Sequence, residues 1–192
     1  LVATNNQRLA LAHKVFDLSR VINLDQIDES LETDNLELRI PAEAMSCILY
    51  TSGTTGRPKG VVHTHRNELH NVMHHTNSLS LTSDDHFTLF GSYSTGQGMQ
   101  DFYCALLNGA TLHPWNLKLD GLGGIADWLH RDRITVYHSA ATVFRYFVKN
   151  LRDGEEFTDL RIIRLGSEQV SWKDLESYKR HFSKHSIFVN AL

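Results

Sequence analysis

The sequence predicts an α/β fold with a largely parallel sheet and alternating helices, and three observations carry that prediction. From residue 87 onward, short β-branched and aromatic runs alternate with helical patterns of about ten residues, the rhythm of βαβ units. An apolar run at residues 45–50 (Met-Ser-Cys-Ile-Leu-Tyr) reads as a buried strand that feeds a glycine- and hydroxyl-rich loop. The chain has 192 residues, 41% of them hydrophobic, enough to bury a substantial core as one domain or a large part of one.

Taken in order, residues 7–16 read as a helix and 20–24 as a strand. Residues 25–37 hold five Asp or Glu before Asn35 and show no periodicity, so they read as a solvated connector. A strand at 46–50 leads into the loop, the strand resumes at 60–63, and 67–79 has helical character. The alternation then runs strand 87–90, helix 100–107, strand 110–113, helix 125–131, strand 135–137 and helix 142–151. Strand 161–165 (Arg-Ile-Ile-Arg-Leu), helix 172–182 and strand 186–190 (Ser-Ile-Phe-Val-Asn) close it, with Ser171 placed as the N-cap of that helix. No internal repeat or low-complexity tract is present.

The loop at residues 50–60 reads Tyr-Thr-Ser-Gly-Thr-Thr-Gly-Arg-Pro-Lys-Gly. Gly53 and Gly56 permit φ > 0 and close approach of backbone N–H groups to an anion. The hydroxyls of Thr51, Ser52, Thr54 and Thr55 add donors, and Lys59 adds a compact positive charge suited to a polyphosphate. It is not a Walker-type P-loop, which needs G-x-x-x-x-G-K-S/T; counting from Gly53 gives Pro58, Lys59 and Gly60.

These residues resemble the adenylate-forming (AMP-binding) superfamily, which includes acyl-CoA synthetases and the adenylation domains of nonribosomal peptide synthetases. Residues 50–60 match the signature YTSGTTGxPKG at every specified position, and residues 61–67 are similar to the extension that follows it. Residues 107–112 look like LxGAxL, residues 166–168 like GGE, and residues 188–192 like the start of fNxYGxTE. The resemblance implies an internal piece of the large N-terminal domain of such an enzyme, with residues 1–192 belonging to a single adenylation domain. It implies ATP as cosubstrate with Mg²⁺, whose ligand falls in the motif beyond the chain end. The partners implied are a carboxylic acid and a thiol acceptor, either CoA or a carrier protein's phosphopantetheine. No catalytic residue is expected within the chain, and the piece alone is expected to be inactive.

Gly166, Ser167 and Glu168 follow a strand end and Asn190 closes another, so both would reach the rim where such sheets bind ligands. The resemblance assigns these four to adenine; a plain turn into the next helix is the alternative for Gly166 and Ser167. The positions matching the family's acyl pocket are Gly96, Gln97, Gln100, His138, Ile163, Leu165 and Ala191. Amino-acid-activating members carry an aspartate where Gly96 stands, pairing with the substrate's α-ammonium. A buried ammonium without a carboxylate partner is costly, so the departure points to an acid lacking an α-amino group. The alternative is a slip of a few residues that lets Asp101 supply the charge.

Other classes find less support. Lys plus Arg number 19 against 22 Asp plus Glu, a formal charge of −3, which argues against a nucleic-acid platform. No apolar stretch approaches the ~18 residues of a membrane span, and no signal-peptide pattern opens the chain. Cys47 and Cys104 lie in apolar runs and read as buried small hydrophobes, fitting a cytoplasmic setting. His70 and His74 share a helix face, but with no third ligand at a familiar spacing no metal site is expected. His65 matches the histidine just after the family's loop, where it would support that loop. The competing class is a non-catalytic nucleotide-binding or interaction module on this fold, kept open by Ser167 within GGE and Leu192 in the adenine-stacking position.

Overall fold

The computed structural model describes residues 1–51, 56–152 and 154–191, which pack as two compact units, Leu1–Arg39 and Ile40–Leu192. In the first, β1 (Val2–Thr4) pairs in parallel with β2 (Val21–Asn23), joined through α1 (Leu9–Val15) and a 3₁₀ turn at Leu18–Arg20. β1, three residues long, has too few positions to show a period. The Asn23 side chain accepts from the Asp25 N–H at 3.2 Å and starts a second 3₁₀ turn, Leu24–Gln26. Most of the acidic stretch that follows is irregular, as expected.

The second unit opens with an antiparallel hairpin, β3 (Met45–Thr51) and β4 (Lys59–Thr64), followed by α2 (His65–Leu79). A Thr64–Asn67 capping box begins α2, and Ser80 in the left-handed conformation ends it, its N–H returning to the Thr76 carbonyl. β3 corrects one expectation. It is largely exposed, Tyr50 by 71% and Met45 by 60%, because it pairs only with β4 in a two-stranded sheet with α2 against it.

The remaining chain alternates regularly: β5 (His86–Leu89), α3 (Gly96–Leu107), β6 (Thr111–Pro114), α4 (Ile125–Arg131), β7 (Val136–Ala140), α5 (Ala141–Lys149), β8 (Ile162–Gly166), α6 (Trp172–His181) and β9 (Ile187–Ala191). The five strands form one parallel sheet in the order β6-β5-β7-β8-β9. Helices cover both faces, which is why these strands read as nearly continuous apolar runs. On one face Val72 of α2 and Cys104 and Ala105 of α3 pack on Phe87, Val136 and Ile162. On the other, Trp128 and Leu129 of α4 and Phe144 and Phe147 of α5 pack on Tyr137, Ile163 and Leu165, with Tyr178 of α6 and Phe182 just after it alongside. Full burial of each such Phe or Leu contributes roughly 1.5–3 kcal/mol.

β5 and β7 share a single register pair, Phe87 with Val136. Beyond it the Thr88 hydroxyl replaces the ladder, accepting from the His138 N–H at 2.9 Å and donating to the His138 carbonyl at 3.3 Å. The strands are thus joined through a side chain as they approach their carboxyl ends.

Candidate functional site

The chain steps from β5 outward to β6, then crosses back to β7 and proceeds the other way through β8 and β9, so the winding reverses between β5 and β7. In an open parallel sheet, the crevice outside the carboxyl ends at such a reversal is where ligands bind. The segments after β5, β7 and β8 meet there. Ser167, at φ +63°, turns the chain off β8 and donates its hydroxyl to the Gln97 Oε1 in the first turn of α3 at 2.9 Å. Gly166 is needed for close approach: a Cβ there would lie 3.2 Å from the Ala191 carbonyl oxygen and 3.3 Å from the His138 Nε2. Gln97, His138, Gly166, Ser167 and Ala191 are therefore brought together. Gly96 borders them at the start of α3, with nothing within 4 Å of its would-be Cβ.

Two expected pocket residues are not in this group. Ile163 and Leu165 are fully buried in the aromatic core on the opposite face, beneath α4, α5 and α6. The register pairs His138 with Arg164 and Ala140 with Gly166, so Arg164 and Gly166 are the β8 residues on the His138 face. Consecutive residues of a strand face opposite sides, so Ile163 and Leu165 look away from His138.

Beneath the rim lies a buried polar cluster. His138 Nδ1 faces Asp101 Oδ1 at 2.6 Å, both side chains being 3% exposed. Against an ionised carboxylate the imidazole carries its proton on Nδ1, leaving Nε2 turned toward Gly166. Asp101 Oδ2 is buried without a partner, as is Arg164 Nε, and among the described residues Arg164 forms no ion pair. Burial pulls the Arg164 pKa below its ordinary value, partly offset by the charge of Asp101. Gln100 Nε2 lies 3.3 Å from the Asn71 Oδ1 and 3.0 Å from the His75 Nε2, tying α3 to α2. Burial also lowers the His75 pKa. Arg164 was a signal in the sequence, a cation inside an apolar strand run.

Glu168 is engaged at the start of α5, where its Oε2 accepts from the Thr142 hydroxyl at 2.6 Å and the Thr142 N–H at 2.9 Å. Those bonds hold its pKa below the ordinary value. Asn190 lies in register with Leu165 and lines a cavity of about 560 Å³ with Val170, Trp172, Leu175 and Phe188, on the α6 face. Gly98 has the tightest backbone approach: a Cβ there would fall 2.2 Å from the Ser92 carbonyl oxygen.

Of the phosphate loop, Thr51 and Lys59 face each other in register and close the hairpin, and Gly56 sits at φ +77°. Ser52, Gly53, Thr54 and Thr55 lie outside the described residues, as does Leu192. Further down the hairpin, Cys47, His63 and Glu68 cluster, a grouping the sequence reading did not find. Their separations along the chain, 16 and five residues, match no familiar ligand motif. His70 and His74 are both exposed.

A doubly wound parallel sheet with a rim at the winding reversal, beside a hairpin that carries the residue 50–60 motif, defines an α/β domain of the ligand-binding kind. The chain belongs to the AMP-binding enzyme family, whose profile matches residues 4–191. Surfactin synthase subunit 1 of Bacillus subtilis (strain 168) is 33% identical over 175 residues, covering 89% of this chain and 5% of that protein. The 3-[(3aS,4S,7aS)-7a-methyl-1,5-dioxo-octahydro-1H-inden-4-yl]propanoyl:CoA ligase of Rhodococcus jostii (strain RHA1) is 28% identical, covering 91% of this chain and 34% of the ligase. The chain thus spans a small part of these relatives' length. Among solved structures, the N-terminal domain of FACL13 from Mycobacterium tuberculosis superposes with TM-score 0.80 at 17% identity, covering all of this chain and 50% of that one. The nonribosomal peptide synthetase FmoA3 superposes with TM-score 0.84 at 19% identity, covering 99% and 20%. The fold is that of the adenylate-forming N-terminal domain.

Proposed function

We propose that this chain is the nucleotide- and acyl-binding piece of a single adenylation domain that activates a carboxylic acid with ATP. The acid's carboxylate oxygen attacks the α-phosphorus, the bond to the pyrophosphate oxygen breaks, and an acyl-adenylate forms. A thiol, from CoA or a carrier protein's phosphopantetheine, then displaces AMP. The first step needs charge neutralisation on a polyphosphate more than a protein nucleophile. Thr51, Ser52, Gly53, Thr54, Thr55, Gly56 and Lys59 are suited to that task, and Gly166 and Ser167 are suited to hold the adenosine at the rim. Asn190 would contribute from the α6 face. Glu168 is anchored through its Oε2 by the Thr142 N–H and hydroxyl beside that rim.

The observation that carries the substrate class is the pairing beneath Gly96. Asp101, the carboxylate considered as a replacement for the aspartate missing at position 96, is held by His138 and lies within the field of Arg164. A floor whose carboxylate is already engaged in this way leaves an α-ammonium less counter-charge and suits an acid without one. The test is ATP–pyrophosphate exchange by the full-length protein with amino acids and with their desamino or keto counterparts. Exchange is expected only with the latter, and none from the 192-residue piece alone. Exchange with amino acids overturns the substrate class. Nucleotide binding without exchange on any acid overturns the enzyme reading in favour of a binding module.

A further inference from the structure

We propose that Cys47, His63 and Glu68 form a three-donor site for a zinc-like transition-metal cation on the hairpin that carries the phosphate loop. The three donor atoms come from β3, β4 and α2, and all lie within 4.8 Å of one another. What brings them together is a register irregularity. Met45 pairs with Thr64 and Cys47 with His63, so one residue between them is extra. Such a bulge re-aims the side chain that follows it. Without it Cys47 would stand opposite Val62, and His63 opposite Ser46. Glu68 is fixed by the capping box one residue past His63, which holds the first turn of α2 against the hairpin.

The donor set selects the ion. A thiolate and an imidazole beside a single carboxylate suit zinc and its neighbours, whereas Mg²⁺ and Ca²⁺ take oxygen ligands. The charges close as well: a dication, a thiolate, a carboxylate and a neutral imidazole sum to zero. Without the cation, the Glu68 carboxylate is 7% exposed with His63 and a weak thiol donor as its bonded partners. Bonds of about 2.3 Å to sulfur and about 2.0 Å to nitrogen or oxygen require tetrahedral edges of roughly 3.2–3.6 Å. The Sγ to Oε1 separation, 3.8 Å, is close to that, while the Nδ1 to Oε1 edge, 2.6 Å, is a hydrogen bond that lengthens when the ion replaces the shared proton. His63 is 31% exposed, which admits water to a fourth position. Binding releases the Cys47 thiol proton to solvent, and the ion braces the hairpin without entering the chemistry at the strand rim.

The test is peptide-resolved alkylation of Cys47 in full-length protein stripped by chelation, then supplied with Zn²⁺ or Mg²⁺, with buried Cys104, unreactive in the folded protein, reporting that the fold is intact. Micromolar Zn²⁺ is expected to slow Cys47 alkylation about tenfold or more, and millimolar Mg²⁺ to leave it unchanged. Glu68→Gln and His63→Gln are each expected to abolish the protection, and Co²⁺ to give a thiolate-to-cobalt charge-transfer band that Cys47→Ser lacks. If either Gln variant fails to fold, wild-type protection and the cobalt spectrum decide. Unchanged alkylation with Zn²⁺, or protection that survives both Gln variants, overturns the site.

Discussion

Replacing Asp174 with Asn is expected to destabilise the domain by about 2–3 kcal/mol at neutral pH, in a pH-dependent way. The carboxylate is 2% exposed and accepts from Arg145 Nε and Nη2 at 2.8 Å each, from the Ser171 N–H at 2.7 Å and from the Ser171 hydroxyl at 2.9 Å. The Arg145 bonds, more than the Ser171 ones, hold its pKa at about 2, against an ordinary 3.8. At 1.36 kcal/mol per unit that shift is worth about 2.4 kcal/mol. The freed Arg145 is 45% exposed and returns to water, so the cost stays below the roughly 3–5 kcal/mol of an orphaned buried charge. Because the folded pKa is depressed, the contribution is present above the unfolded value and fades as pH falls toward the folded one. In urea unfolding of full-length protein, the gap between wild type and variant is therefore expected to be full at pH 6 and about halved by pH 3. A gap below about 1 kcal/mol at pH 6, or one that does not narrow, would refute the assignment. The same arginine donates to the Gln169 carbonyl at 3.0 Å, so the variant also loosens the loop that carries Ser167.

Three further outcomes are expected. Gly98→Ala places a Cβ 2.2 Å from the Ser92 carbonyl oxygen and should cost more than about 2 kcal/mol in thermal melts, while Gly96→Ala, with open space around it, should melt like wild type. Burial, with the charge of Asp101, pushes the Cys104 thiol up to about 12, so at pH 8 it should resist alkylation until the protein is denatured. Arg164→Met should change stability by less than about 1 kcal/mol while raising KM for the acid in the exchange assay. A stability loss above about 2 kcal/mol would make Arg164 a structural partner of Asp101 and remove it from the pocket.

Most of the fold was legible because its signals are local. The Ser171 cap sits within one turn, and each member of the strand–helix alternation within one short run of sequence. The facing of β8 was not. It is buried on both faces, so its apolar run carries no alternation to say that Arg164 and Gly166 share the His138 face while Ile163 and Leu165 enter the aromatic core. The burial of β3 was misjudged for a related reason: its composition is that of a covered strand, and only the topology reveals that it has a single neighbour. The Cys47–His63–Glu68 group was illegible because a bulge, which no spacing rule anticipates, sets which residue faces which.

The Thr88 hydroxyl divides the sheet mechanically. Strands β6 and β5 form one plate and β7, β8 and β9 another, joined near the rim by a two-way bond through one side chain in place of a rigid ladder. The plates carry different cargo, since the segment leading into α3 leaves the first while His138 and Gly166 ride on the second. A change of side chain at position 88 is expected to shift the segment leading into α3 relative to His138 and Gly166. The rim is thus adjustable from the sheet interior, with the residues that border it left as they are.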